Sequence, residues 1–159
     1  MRTKFGREDG AAAVEFALIV GVLAMLLFGM LQFGLAFFQL QNLRSASREG
    51  ARVAAVGATV DQIRLSTQRA AVGALPTSDG IEVQYTSNGT SWGAPITTGT
   101  SRACPPRNQQ TPNSAARVSI NLNNVSPSLQ EIFVLDIPLL PAINIKGANI
   151  SGEFRCEGN

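Results

Sequence analysis

The carboxylate of Glu15 stands where a negative charge is costly. It directly precedes the 28 residues from 16 to 43, none of which carries a formal charge. An apolar helix of about 20 residues is enough to cross a bilayer core of about 30 Å. An ionisable group in such a segment is a functional candidate by default, because burying it in lipid costs on the order of a few kcal/mol. Near the end of the span the same side chain could instead snorkel to the lipid headgroups, and charge placement alone leaves both interpretations open.

The two cysteines, Cys104 and Cys156, offer a second kind of chemistry. Both lie in the C-terminal half of the chain. In an oxidising compartment they would form one disulfide that closes a long loop, whereas in a reducing compartment they would remain thiols. The membrane segment upstream and the polar sequence around them favour the disulfide.

Little other chemistry is available in this composition. The chain contains no histidine, which removes the commonest general base near neutral pH. It also has no Cys-x-x-Cys pair and no clustered carboxylates of the kind that bind metals. The formal net charge of +2 and the lack of a long Lys/Arg run give no indication of a basic surface that would bind nucleic acid. We therefore expect no enzyme, no cofactor and no nucleic-acid partner, and a membrane-tethered hydrolase is disfavoured for the same reasons.

The apolar run is expected to form the helix at whose start Glu15 lies. It is too long for the core of a secretory signal, which is about 7–15 residues, and it continues into helix-favouring sequence. We expect one helix over residues 11–58 that spans a membrane and extends beyond it. The positive-inside rule does not orient it, because the Lys and Arg counts on its two flanks are nearly equal. A polar tail of about 100 residues with both cysteines places the short N-terminus in the cytoplasm.

Small residues recur at helical spacing within this run. Ala13, Ala17 and Gly21 are four residues apart and share one helix face. Small residues at this spacing let another helix approach closely, which suits lateral packing in a membrane or a filament. Ala and Gly are also simply frequent in membrane helices, so the pattern alone does not decide between the two explanations.

A charged stripe follows the apolar run. Arg44, Arg48 and Arg52 stand one turn apart, and Glu49 can reach Arg52 at the i+3 position. Such a stripe predicts a solvated helix face with some headgroup contact. Gly50 weakens the helix at this point.

The helix is expected to bend or end near Gly57, and a capping box that begins at Thr59 predicts a second helix over residues 60–75. The fold class that we predict is α+β: the spanning helix, this short helix, and then a small antiparallel sheet within a domain of residues 59–159.

The sheet is predicted from alternating apolar and polar residues. This period of two appears over residues 81–86 and 117–123, and a last strand region runs from 143 to 156. Between the first two strands, residues 87–114 are rich in Gly, Thr, Ser and Pro and are expected to form a long exposed loop. Structureless loops of this length are uncommon, so the loop could be functional or could contain a short strand.

Three stretches of the N-terminal third resemble the TadE-like family, minor pseudopilins of the Tad (tight adherence) pilus system. They are GAAAVEFAL at 10–18, LQFG at 31–34 and SASREGAR at 45–52. The last is the most distinctive, since an Arg-Glu-Gly-Ala-Arg sequence just outside the membrane is typical of the family. The resemblance covers roughly residues 7–57.

This resemblance implies a processing site and an assembly residue. Residues 1–10 would be a leader that a prepilin peptidase removes between Gly10 and Ala11. Glu15, with Phe16 beside it, would guide assembly. The new ammonium group at Ala11 would lie roughly one helical turn from Glu15, where an opposite charge offsets the carboxylate in a medium of low dielectric constant.

The resemblance also implies the location and the partners. The chain would be a minor pseudopilin of the bacterial inner membrane, with its N-terminus in the cytoplasm and its C-terminal domain in the periplasm or in a pilus. Its partners would be the prepilin peptidase, other pilin-like subunits, inner-membrane assembly proteins and membrane lipid. The competing interpretation is an uncleaved single-pass protein whose outer domain binds a ligand or a partner. Uncleaved and cleaved chains differ in their first residue, Met1 or Ala11.

Overall fold

The structure is a computed structural model. It describes residues 7–75, 77–132, 134–135, 143–144 and 147–157. The expected leader therefore lies mostly outside the described residues. Within the described part, the chain divides into two compact units, the first ending at Leu35 and the second beginning at Ala36.

The helices and strands follow the α+β order expected from the sequence. The helices are α1 (Arg7–Ala55), α2 (Val60–Ala70) and α3 (Pro127–Ile132), and the strands are β1 (Ile81–Thr86), β2 (Ala115–Asn121), β3 (Val134–Leu135), β4 (Ile143–Asn144) and β5 (Asn149–Arg155).

The long helix α1 begins before the apolar run and continues well past it. It contains an 18-residue stretch of mean hydropathy 2.5 with no part buried, which is long and apolar enough to cross a membrane. The helix ends at Ala55, two residues before Gly57, whose φ of +84° lies in the left-handed region that glycine adopts without strain. The end of the helix is therefore where the sequence predicted it.

Strands β1, β2 and β5 form one antiparallel sheet with β2 in the centre. In its register Val83 lies opposite Val118, and Val118 lies opposite Gly152. Successive side chains of a strand point to opposite faces, so the apolar residues of the period-two pattern share one face. That face is the core of the second unit, where Val83 and Val118 are fully buried. The short strands β3 and β4 pair separately.

Two of the predicted elements differ from those observed. The capping box at the start of α2 is present: the Thr59 side chain accepts from the Gln62 backbone amide, and the Gln62 side chain accepts from the Thr59 backbone amide. The predicted end of α2 is wrong, because the helix ends at Ala70 rather than at residue 75. Its continuation is blocked because Val72 (φ +44°) and Gly73 (φ +79°) adopt left-handed backbone conformations.

The last strand region, predicted from 143 to 156, is observed as two strands, β4 and β5. Residues 145–146 between them lie outside the described residues.

The loop from residue 87 to 114 has little regular structure, as expected. It contains a 3₁₀ turn at Arg107–Gln109, and Ile96 forms an isolated bridge with Val83 of β1. The expected disulfide is present: Cys104 in this loop is bonded to Cys156, which directly follows β5, with the two Cα atoms 5.7 Å apart. The disulfide therefore ties the loop to the edge strand of the sheet.

Candidate functional site

The first unit presents an uncovered apolar helix surface. Its large side chains are exposed along the whole run, and Phe16 is 69 % exposed. An apolar surface of this extent is unfavourable in water. It must be covered by lipid or by other helices.

Glu15 lies at the start of this surface and has no ion-pair partner among the described side chains. It is exposed, and it makes no hydrogen bond or ion pair with any side chain in the described part. Gly10 and Ala11, the predicted processing residues, lie in the first turns of α1 and are also exposed. Glycine is about 1 kcal/mol less favourable than alanine in a helix, so α1 is intrinsically weak at Gly10.

The face of small residues predicted for helix packing is free within the first unit. Ala13, Ala17 and Gly21 are exposed, and no atom lies within 4 Å of the position that a Cβ on Gly21 would occupy. The fold brings no other element of this unit to that face, so a second helix could occupy it.

In the second unit, one face of α1 packs into the core. The buried positions recur at helical spacing and carry mostly small side chains: Leu43, Ala46, Ser47, Gly50, Ala51, Ala54 and Ala55. A Cβ on Gly50 would lie 3.2 Å from Cβ of Thr67 in α2 and 3.2 Å from Cγ1 of Val118 in β2. The expectation that Gly50 weakens the helix is therefore incomplete, because its lack of a side chain lets α2 and β2 approach. This role depends on contacts distant in sequence and has no local signal.

The charged stripe lies on the opposite, solvent-exposed face. Arg44, Arg48, Glu49 and Arg52 are all exposed. The pair expected between Glu49 and Arg52 is not among the ion pairs of the described side chains. The stripe is thus a surface of three arginines and one carboxylate that begins six residues after Phe38, and none of the four is in an ion pair with a described side chain.

The turn that follows α2 is a feature that the sequence analysis missed. Asn42 of α1 donates through Nδ2 to the carbonyl oxygen of Ala71 at 3.0 Å. Next to it, Val72 is 79 % exposed and has a φ of +44°. Positive φ is a true outlier for a β-branched residue. An apolar side chain is therefore held in solvent by a strained backbone.

Trp92 of the long loop lies on the far face of the sheet. The guanidinium of Arg117 in β2 lies 3.9 Å from the centre of the Trp92 ring, and its Nε donates to Glu153 of β5 at 2.7 Å. Trp92 therefore packs on the sheet, and the stacked pair fixes the long loop in place.

Comparison with known proteins agrees with the resemblance. The model of a family described as TadE-like protein matches residues 10–52. This range contains Glu15, the face of small residues and the basic stripe. No curated protein and no solved structure matches the chain.

Proposed function

From the TadE-like segment, which indicates a component of a Tad pilus system, we propose that this chain is a minor pseudopilin. It is a structural subunit that assists pilus assembly, and a prepilin peptidase cleaves it after Gly10. The observation that carries this proposal is the uncovered apolar helix with the exposed carboxylate of Glu15 at its start, which is in no ion pair with a described side chain. Such a surface is suited to insertion in a bilayer and to packing among other helices, and no catalytic step is required of it.

Cleavage would supply a positively charged partner for Glu15. The ammonium group of Ala11 would stand four residues before Glu15, about 6 Å along the helix. Once subunits leave the headgroup region for a filament, the carboxylate loses water, and a neighbouring subunit's ammonium offsets its charge. Pairing between subunits would also set the axial step between them.

The remaining features support export of the second unit. The candidate span near the N-terminus and the disulfide between Cys104 and Cys156 suit an inner-membrane protein whose C-terminal domain lies in the periplasm or in the pilus. The expected partners are the peptidase, other pilin-like subunits and the inner-membrane assembly proteins.

Mass spectrometry of the N-terminus of the membrane-extracted protein tests the proposal. We expect a chain that begins at Ala11, and we expect Gly10→Leu to block cleavage because the bulky side chain would not fit a protease site made for glycine. Gly6→Leu, within the same leader, is the matched control and should still be processed. A wild-type protein that retains residues 1–10 would contradict the proposal and favour the membrane-anchored binding protein.

A further inference from the structure

We infer that the turn Ala71–Ala74, with Val72 at its tip, contacts the lipid surface where α1 leaves the membrane. The inference rests on the proposed insertion of α1 in a bilayer and adds a second point of membrane contact. Both the turn and the part of α1 that begins at Ala36 belong to the second unit, so their relation is internal to one compact body.

The level of the turn along α1 is fixed by a hydrogen bond. Asn42, which binds the carbonyl oxygen of Ala71, is only four residues after Phe38. At a rise of 1.5 Å per residue this is about 6 Å along the helix axis. Phe37 and Phe38 are 61 % and 66 % exposed and are the last large apolar residues of the run that are exposed. The exposed apolar surface of the run ends with these two residues, and the first charged residue, Arg44, follows Phe38 by six positions, so the turn lies level with the polar edge of the bilayer.

The turn is built so that only its apolar side chain faces outward. Ala71, Ala74 and Leu75 are buried, whereas Val72 is among the most exposed large apolar side chains of the chain. The carbonyl groups of Gly73 and Ala74 are satisfied from the inner side, since Ser126 donates through Oγ to Gly73 at 3.1 Å and through its amide to Ala74 at 3.0 Å. The turn can therefore enter an apolar interface without leaving those carbonyls unpaired.

The charges around the turn fit anionic headgroups. Arg44 of α1 and Arg69 at the end of α2 are exposed, and neither is in an ion pair with a described side chain. No Asp or Glu occurs between residues 16 and 48 or between residues 62 and 78. Basic residues beside an interfacial apolar side chain are the composition that binds the phosphates of anionic lipid. A lipid surface thus accounts for the apolar tip and for both arginines.

The test uses the full chain with single engineered cysteines. Because the two native cysteines are bonded to each other, a cysteine at position 72 is the one free thiol and can carry an environment-sensitive fluorophore. The protein is reconstituted in vesicles of phosphatidylcholine with or without phosphatidylglycerol, containing lipid with a nitroxide quencher near the headgroup. Phe38→Cys is the positive control, and Val56→Cys, an exposed apolar residue beyond the end of α1, is the negative control.

We expect a blue-shifted emission and strong quenching at positions 38 and 72, and neither at position 56. Quenching at position 72 should increase with phosphatidylglycerol, and this increase should be lost in Arg44→Gln/Arg69→Gln but retained in Arg107→Gln.

Quenching at position 38 without quenching at position 72 would overturn the inference while leaving the membrane span intact. A blue shift at position 72 without quenching would assign the turn to a protein contact and would also overturn it. Lack of quenching at position 38 would instead contradict the insertion of α1 on which the inference rests.

Discussion

Gly152 of β5 lies directly against the backbone of Ser47 in α1. A Cβ on Gly152 would be 2.6 Å from the carbonyl oxygen of Ser47, closer than real Cβ atoms approach. The helix and the edge strand of the sheet are therefore in contact through backbone atoms, which cannot move aside as a flexible side chain could. This contact joins the TadE-like segment to the sheet.

Gly152→Ala should destabilise the second unit, because the added methyl group forces α1 away from β5. Overpacking of a core typically costs about 1–3 kcal/mol. Urea denaturation of the purified protein, monitored by the fluorescence of Trp92, measures the change in free energy of unfolding. Gly147→Ala is the matched control, since nothing lies within 4 Å of its Cβ position. Equal stability of the two variants would show that the contact is not close in solution.

Glu15→Gln should leave cleavage and membrane insertion normal but abolish piliation and co-purification with other pilus subunits. Removing one partner of a buried ion pair typically costs about 3–5 kcal/mol, whereas a carboxylate that only snorkels can be neutralised without loss. Pull-down of tagged protein and counting of pili by microscopy provide the readouts. Glu49→Gln, which alters an exposed carboxylate of the same helix, should assemble normally. Wild-type piliation by the Glu15 variant would exclude an assembly role for this residue.

Cys104→Ser should lower the free energy of unfolding of the second unit by about 2–5 kcal/mol, the usual effect of removing a native disulfide from a small exported domain. Chemical denaturation with and without a reducing agent measures it. Cys156→Ser and the double variant should give the same loss as the single variant, since each removes the same bond. Two titratable thiols in the unreduced wild-type protein would show that Cys104 and Cys156 are not joined by a disulfide.

Val72→Asn should stabilise the isolated protein while weakening its contact with lipid. Asparagine tolerates left-handed backbone far better than a β-branched residue, and strain of this kind costs on the order of 1–3 kcal/mol. The midpoint of thermal unfolding in detergent should rise, because the exposed valine side chain contributes no burial. Val56→Asn serves as the comparison and should change the midpoint little. A lower midpoint for Val72→Asn would show that Val72 is held by contacts rather than strained.

The parts of the fold that depend on local sequence were predictable. The apolar run, the capping box at Thr59 and the alternation over residues 81–86 each carry their own periodicity or spacing. α1 contains the whole apolar run, and α2 and β1 begin where their patterns begin. The family resemblance at residues 10–52 is likewise carried by a contiguous segment.

The parts that depend on contacts between distant residues were not predictable. Gly50 and Gly152 look like breaks in a helix and in a strand, and only the close approach of α2, β2 and α1 explains them. The turn at Val72 was missed because Ala71, Ala74 and Leu75 are compatible with a helix, and because its backbone is held by Asn42 and Ser126 from elsewhere in the chain. The stacking of Arg117 on Trp92 also joins residues from different elements.

The disulfide also limits how far the protein can be stretched. Cys104 and Cys156 are separated by 52 residues, and at about 3.4 Å per extended residue that segment holds roughly 180 Å of contour length. β2 and β5 both lie inside this closed loop. A force applied between α1 and the end of the oxidised chain cannot draw that length out, even after the sheet has come apart. A subunit that carries tension along a fibre would therefore extend mainly through the residues between α1 and Cys104, roughly half the length open to the reduced chain, before its covalent bonds bear the load.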